Sequence, residues 1–449
     1  MSKSASERIL SGAVLASALL LSGCQTYQPK PLPTAPDLMH SPALTVPAHK
    51  LDLPGLQPHP IPTNGLDETA VVILAVLNNP DLKAARLQAG VAQAQLLEAG
   101  LLPDPVVSGG LAKSTMFTGY NVGLSEDIQA LITRGAAKAA AQAHVQQVNL
   151  DILWQEYQVA EKAEELFIQS RATDELEGIL TSTHNLLAKR YRQERAALKQ
   201  GNMTADKIST DFAALTDAET NLRQLQLDSN RTRHDLNMLL GLEPDVRLQL
   251  IGQIESRPLS KQQFQAAVMA LPHRRADLLA LQAGYQSQEQ LLREAILAQF
   301  PSMSAGVENS KSPEEGIYSS GFTVDITLPL FNRNQGQIAT QKATRAQLYQ
   351  AYQARLDQAA SEADQIWQAT RIMARQLRDL EMRLPVLKEI AAAAERDFQQ
   401  DKLDSATFVS VKSNYLVQQA QAIHLRATLE RAQAALQILL GLPVNKGSG

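Results

Sequence analysis

The chain has 449 residues, of which 44% are apolar and 4% aromatic, and its formal net charge is −4. The apolar content is too high for a disordered protein, and the slightly acidic balance argues against the basic surface that nucleic-acid binding needs. The low aromatic content is more typical of long helices rich in alanine and glutamine than of a large globular core.

Residues 1–23 have the pattern of a secretory signal, because Lys3 and Arg8 precede a mostly apolar run over residues 9–21 that is too short for a transmembrane helix. Cys24, the single cysteine, follows a Leu-Ser-Gly sequence and resembles the acylated cysteine of a bacterial lipoprotein box. In that motif Gln25, rather than an aspartate, indicates the outer membrane. The alternative is a conventional cleavage site with an incidental free thiol. A single cysteine also excludes a disulfide framework within the chain.

Residues 24–65 form a proline-rich segment, lipidated in this interpretation, in which ten of the 21 prolines lie between Pro29 and Pro62. Proline at this density excludes a helix or a central strand, so we expect an extended chain. The segment is either a disordered tether between lipid and body or a strap along the outside of the body.

The remainder has the pattern of an internal duplication, with a first repeat over residues 66–250, a second over 251–443 and a tail over 444–449. Leu-Gly-Leu sequences close both repeats, around Gly241 and Gly441, and each repeat opens with Asp-Leu followed by Leu-Gln-Ala-Gly. A repeat of this size indicates that one structural unit occurs twice.

Each repeat is predicted to contain a helix, a β-hairpin, a long helix and a return helix. In the first repeat these are a helix over 67–100, a hairpin over about 104–128, a long helix over about 135–200 and a return helix over about 203–240. In the second, the hairpin covers about 301–330, the long helix about 336–400 and the return helix about 404–440. Residues 136–200 contain no proline, and as a helix they would run about 97 Å, far beyond the needs of a globular core.

The hairpins are predicted from apolar residues that alternate with polar ones, as Phe322, Val324 and Ile326 do with Thr323 and Asp325. Each strand has about the ten residues of a tilted membrane strand. A soluble hairpin packed on helices would alternate as well, but a lipoprotein with such strands favours the outer membrane. Because lipid does not tolerate open strand edges, four strands must be completed by other copies of the chain. Glu308 and Asp325 would then face the barrel lumen.

With the lipoprotein box at Cys24, the duplicated plan and the Leu-Gly-Leu-Pro ends, the sequence Leu-Pro-Leu-Phe-Asn-Arg-Asn-Gln-Gly at 328–336 resembles the TolC-like outer membrane factors. The resemblance covers essentially residues 66–443. It implies a mainly α fold with membrane β-hairpins, in which a homotrimer forms a twelve-stranded β-barrel continued by a long α-helical barrel in the periplasm. Residues 87–90 and 100–105 look most like the branch paired with heavy-metal cation pumps.

The implied function is a passive exit duct in the outer membrane, which works with a periplasmic adaptor (membrane fusion protein) and an inner-membrane pump of the RND type. Alternatives are an exit duct for type I protein secretion and a lipid-anchored periplasmic coiled-coil scaffold without a pore. No catalytic constellation occurs: the eight histidines form no HExxH motif, and a glycine-rich phosphate loop is lacking. We therefore expect no enzyme, no cofactor, no metal site and no nucleic-acid partner.

Two helix breaks are predicted as periplasmic tips and adaptor docking sites; their residues are Gly201, Asn202, Met203, Thr204, Asp401, Lys402, Leu403 and Asp404. In a trimer the tip aspartates would each occur three times and could form carboxylate rings. The alternative is solvated helix ends with Thr204 or Asp404 as N-caps. Where some family members place paired aspartates, this chain has Thr407 and Ser410, so the candidate aperture residues are Asp206, Asp211, Thr407 and Ser410.

Overall fold

The computed structural model describes residues 27–41, 64–115, 118–252 and 258–443. The chain divides into one unit up to Leu38 and a second from Met39 onward. The described part of the first unit, residues 27–38, contains neither helix nor strand. Everything below concerns the second unit.

The first repeat has four helices and one hairpin in its described residues. They are α1 (Glu68–Asn78), α2 (Pro80–Gly100), β1 (Val106–Lys113), β2 (Thr118–Asp127), α3 (Ile128–Lys199) and α4 (Ala205–Leu239). The helix α3 has 72 residues, so it is about 108 Å long.

The single helix predicted over residues 67–100 is wrong, because the chain breaks at Asn79. Pro80 disfavours the helical conformation of the residue before it. The Asn79 side chain then caps the second helix, accepting a hydrogen bond from the Leu82 N–H at 2.9 Å. Asn79 thereby ends α1 and starts α2.

The long helix of the first repeat begins at Ile128, earlier than the predicted 135. Asp127, the last residue of β2, acts as its N-cap and accepts a hydrogen bond from the Ala130 N–H at 3.1 Å. The capping side chain lets the strand pass directly into the helix. The hairpin and the helical rod are therefore one continuous element.

The second repeat follows the same order. Its elements are α5 (Lys261–Arg274), α6 (Ala276–Leu297), β3 (Ser302–Lys311), β4 (Tyr318–Thr327), α7 (Gln335–Gln399) and α8 (Ser405–Leu439). The helix α7 has 65 residues and continues through Pro385. Neither long helix of the described chain is interrupted.

The two hairpins join into one antiparallel sheet with the strand order β1-β2-β3-β4. The central contact is between β2 and β3, where Ser125 lies opposite Gly306. Within each hairpin, Ser125 lies opposite Val106 and Gly306 opposite Thr323. One sheet thus unites both repeats at one end of the helices.

Below the sheet, α3 is the central helix and packs against α1, α2, α4, α6 and α8. By contrast, α7 packs chiefly against α8, α6 and α5. Both long helices bury a seam with coiled-coil spacing, which includes Ala163 and Phe167 in α3 and Ala363 and Trp367 in α7. None of the helices in the described ranges combines the length and apolarity needed to cross a bilayer.

The proline-rich segment touches the body at Met39, where it forms a short parallel bridge with the end of the first repeat. The Met39 N–H donates to the Gly241 carbonyl at 3.0 Å, and the Glu243 N–H donates to the Met39 carbonyl at 3.0 Å. Beside it, His40 Nδ1 lies 2.7 Å from a Glu243 carboxylate oxygen. At this point the chain is a strap on the body.

Candidate functional site

One face of the sheet is an exposed apolar surface. Strand pairing places these exposed side chains on it: Val107, Leu111, Val122, Leu124, Val307, Tyr318, Phe322, Val324 and Ile326. Leu111 is 86% exposed and Phe322 is 71% exposed. An apolar patch of this extent on an antiparallel sheet marks a surface that lipid or another protein covers.

The opposite face carries serine, threonine and glycine with three carboxylates: Glu308, Asp325 and, at the end of β2, Asp127. Glu308 lies opposite Gly321, and Asp325 lies opposite Ser304. Because side chains alternate along a strand, this register puts both carboxylates on the face that is not apolar. Ser304 donates a hydrogen bond to Asp325 at 3.4 Å. The lumenal role of Glu308 and Asp325 stays a prediction, since a lumen requires further chains.

The polar face is crowded at two glycines near its centre. A Cβ atom added to Gly306 would lie 2.9 Å from Ser125 Cβ, and one added to Gly123 would lie 2.7 Å from Ser108 Oγ. Around Gly321, on the same face, an added Cβ would meet nothing within 4 Å. The close approach is therefore local to Gly306 and Gly123, where a larger residue would displace its neighbours.

The sheet is incomplete by itself. The strands β1 and β4 each pair along one edge within the described residues, so the sheet has two open edges. Successive strands are antiparallel, so β1 and β4 run in opposite directions. The β4 edge of one copy therefore has the correct direction to pair with the β1 edge of another.

At the far end of the helices, the two predicted tips have the same backbone geometry. Gly201 and Asp401 adopt left-handed φ angles of 75° and 57°. After each, the N–H of Asn202 or Lys402 donates to a carbonyl in the last helical turn, at 2.9 and 2.8 Å. Both turns are Schellman motifs, which end a helix sharply.

The eight predicted tip residues lie together on these two turns. Met203 and Leu403 are half-buried, and the other six are exposed: Gly201, Asn202, Thr204, Asp401, Lys402 and Asp404. Two pairs of rings pack just above the turns: Tyr191 with Phe212 at 5.3 Å, and Phe398 stacked on Phe408 at 4.8 Å. Aromatic packing thus stiffens the end of both helix pairs.

Asp404 acts as a helix N-cap, which is the alternative role considered above for the residues of the tips. Its carboxylate accepts hydrogen bonds from the Thr407 N–H at 3.0 Å and from the Thr407 hydroxyl at 2.6 Å. These bonds hold the pKa of Asp404 below its usual value. Thr204, at the corresponding place in the first repeat, makes no capping bond with its side chain.

Among the described side chains, no hydrogen bond joins the candidate aperture residues to one another. Thr407 is engaged by Asp404, while Ser410 is exposed in α8. The backbone of Asp206 lies in α4, and its side chain lies outside the described part of the structure. The aperture role of these residues stays a prediction.

Asp211 is already paired inside the chain. Its carboxylate lies 2.7 Å from Arg190, whose guanidinium also contacts Glu194 at 2.8 Å. Arg190 further donates to the Ala406 carbonyl at 3.2 Å, which links the two tips. Burial, aided by a hydrogen bond with Asp211, raises the pKa of Glu194. This network makes Asp211 a structural tie in the single chain.

Sequence reasoning missed Arg190 and Glu194. Their spacing of four residues on α3 is a visible signal for a helical ion pair. The partnership with Asp211 crosses from α3 to α4 and depends on how those helices face each other. Over the described residues, no group of three or more metal-binding side chains comes together. Cys24 lies outside the described residues.

No family model and no curated protein matches the chain. Several solved structures do. The structure of CusC aligns with a TM-score of 0.68 and 16% identity over 91% of this chain and 99% of that one. The CmeC outer membrane channel of Campylobacter jejuni gives 0.68 and 16% over 91% and 96%. The MtrE outer membrane channel of Neisseria gonorrhoeae gives 0.68 and 14% over 95% and 99%.

The chain therefore has the fold of these outer membrane channels. The predicted fold class, mainly α with two β-hairpins and duplicated long helices, is confirmed, as is the resemblance to TolC-like outer membrane factors at the level of fold. Sequence identity to the three structures is only 14–16%, and the TM-score is 0.68 for each, so the comparison distinguishes no branch of them.

Proposed function

We propose that the chain is one subunit of a trimeric outer membrane channel, the passive exit duct of a tripartite efflux system, with no enzymatic activity. The sheet carries this proposal. It has an exposed apolar face, a polar face with three carboxylates and, within the described residues, two unpaired edges. Its strands continue directly into helices of 72 and 65 residues.

Closing the sheet requires further copies, because transmembrane strands cannot leave their edges in lipid. Pairing β4 of one copy with β1 of the next repeats the same contact around a ring. Three copies with the four strands seen here give the twelve-stranded barrel that the resemblance implies. The apolar face then meets lipid, and the polar face lines the lumen with Glu308 and Asp325.

The helical body supports the same assembly. It exposes large apolar side chains on two sides. On α7 these are Ile372, Met382, Val386 and Ile390, and on the other side, formed by α2 and α4, they are Leu87, Val91 and Leu227. Exposed stripes on opposite sides suit contact between neighbouring copies. A ring of long helices would continue the barrel through the periplasm for about 100 Å.

The tips would dock a periplasmic adaptor, which connects the duct to an inner-membrane pump of the RND type. Exposed turn residues and the 53% exposed Phe212 offer a polar rim beside an aromatic patch, the composition typical of interfaces. Acylation of Cys24 would anchor each copy to the outer membrane. The proposed cargo is metal cations or drugs, with heavy-metal cations suggested by residues 87–90 and 100–105.

The exposed sheet face also bears on the alternatives. A periplasmic scaffold without a pore would leave that apolar face in water, which costs about 25 cal/mol for each Å² of apolar area. Export of proteins by a type I system would use the same barrel. Sensitivity of a deletion strain to a panel of metals and drugs, compared with loss of secreted proteins, separates the two transport functions.

The central test is conductance of the purified protein in planar bilayers. We expect trimers that conduct and prefer cations, because carboxylates line the lumen. Glu308→Lys with Asp325→Lys should lower the cation preference. Glu315→Lys, in the turn between β3 and β4, is the matched control and should change it less. A protein that neither forms trimers nor conducts contradicts the channel, whereas conductance with unaltered selectivity contradicts only the lumenal assignment.

A further inference from the structure

A cavity of about 400 Å³ lies beside the seam between α3 and α8, away from both the sheet and the tips. Its polar lining comes from Arg171 and Glu175 on α3 and from Arg426 and Glu430 on α8. Among the described residues, the rest of the lining is Ala172, Gly252, Ile423 and Ala427. The cavity is large enough for a small organic molecule and is both charged and apolar.

Glu430 is the notable group in this lining. It is only 5% exposed, and its carboxyl group has no hydrogen bond or ion pair with any residue of the described chain. A buried carboxylate without a partner is costly, and native proteins usually provide one. Among the described residues, Glu430 therefore has no cationic or hydrogen-bond-donating partner.

Neither arginine of the lining fills that role. Arg171 donates to the Leu250 carbonyl at 3.3 Å and lies 3.6 Å from Asp174. Arg426 lies 2.6 Å from Glu381 and forms its ion pair there rather than with Glu430. Among the described residues, the lining holds two guanidinium groups and two carboxylates, so their charges balance when Glu430 is ionised. Both guanidinium groups are paired with carboxylates outside the cavity, Asp174 and Glu381, and neither forms an ion pair with Glu430.

We propose that this cavity binds a short alkylammonium ligand, with its ammonium group on the Glu430 carboxylate and its methylene chain against Ile423, Ala427 and Ala172. Glu175, the more exposed carboxylate of the lining, can receive the second ammonium of a diamine. An ammonium group supplies the several donors that a buried carboxylate accepts. A divalent metal fits less well, since the cavity does not gather the three ligands that such an ion needs.

Binding should depend on pH. Burial, with Glu175 and Glu68 nearby, raises the pKa of Glu430 to about 7, while Arg426 opposes the shift. Because the ligand needs the ionised carboxylate, its affinity should fall about tenfold between pH 8 and pH 6.

The test is titration calorimetry of the full-length protein in detergent with 1,5-diaminopentane. We expect saturable binding at pH 8, weaker binding of n-pentylamine and none of n-pentanol. Glu430→Gln should abolish binding, whereas Glu389→Gln, an exposed carboxylate on α7, should leave it unchanged. Ala427→Leu should also block binding by filling the cavity without altering its charge, which keeps the test valid if the first variant folds poorly.

Three outcomes overturn the proposal. They are no binding of the diamine at pH 8, equal affinity in the Glu430→Gln and unmodified proteins, and displacement of the diamine by equimolar Mg²⁺, which would indicate a site for divalent cations instead. Equal affinity at pH 6 and pH 8 would remove Glu430 as the anchoring group and count against it as well.

Discussion

The two repeats share a backbone plan but solve the same local problem with different chemistry, most clearly where α1 meets α2 and where α5 meets α6. At both junctions one side chain reaches the end of a return helix. The Asn79 amide donates to the Leu239 carbonyl at 3.3 Å, and the Arg275 guanidinium donates to the Leu439 carbonyl at 3.3 Å. Both junctions thus place a hydrogen-bond donor at this carbonyl, an amide in the first repeat and a guanidinium group in the second.

In the second repeat, the donor is a charged side chain that is buried. Arg275 is fully buried, stacks 4.8 Å from the Trp154 ring and lies 2.8 Å from Asp277. Asp277 in turn lies 2.7 Å from Arg355 on α7. A neutral amide needs no such partners. The junction of the second repeat is thus an ionic cluster that connects α6, α7 and α3.

The largest expected effect follows from breaking that cluster. Asp277→Asn leaves Arg275 buried without its carboxylate, and we expect a loss of about 3–5 kcal/mol in the free energy of unfolding. The measurement is the urea midpoint of the detergent-solubilised protein at constant protein concentration.

Asn79→Ala is the matched change in the first repeat. It removes a neutral cap and one hydrogen bond, so we expect a smaller loss of about 1–3 kcal/mol. Equal losses for the two variants would contradict the view that charge distinguishes the junctions.

The two tips provide a second, smaller contrast. Gly201 and Asp401 occupy the same left-handed position, which glycine adopts freely and other residues adopt at a cost of roughly 1 kcal/mol. We expect Gly201→Ala to lower stability by about 1 kcal/mol and Asp401→Gly to raise it by a similar or smaller amount. Thermal midpoints of the two variants should therefore move in opposite directions, and shifts of the same sign would contradict the geometry.

Much of the fold could be predicted from sequence because its signals are local. Alternation of apolar residues over residues 322–326 predicted a strand that the structure contains, and the absence of breakers in 136–200 predicted an unbroken helix. Local signals also account for the misses at helix ends. Pro80 disfavours a helical conformation at Asn79, and Asp127 caps the helix that follows it. Both effects depend on adjacent residues, but the longer helical pattern around them favours a single helix in one case and a later helix start in the other.

The site was less predictable because it depends on which faces meet. The positions of the tips followed from the repeat. The pairing of Arg190 with Asp211 joins two helices, and the contact of Arg275 with Trp154 joins the α5–α6 junction to α3. The cavity at Glu430 likewise arises only where α3 lies against α8. A helical pattern shows that a face is buried, but it does not show what covers that face.

The smallest expected effect concerns the caps that follow the tips, where Asp404 makes two hydrogen bonds and Thr204 makes none with its side chain. Asp404→Ala should speed amide hydrogen exchange in the first turn of α8, whereas Thr204→Ala should leave exchange in the first turn of α4 nearly unchanged. Because the pKa of Asp404 is lowered in the folded chain, its contribution is complete above its ordinary value of 3.8 and is lost as pH falls through the lowered value. Exchange in the unmodified α8 should therefore approach that of the variant only below about pH 4. If the two helices lose protection equally at pH 7, the cap does not distinguish the tips, and the shared Schellman turns alone set their stability.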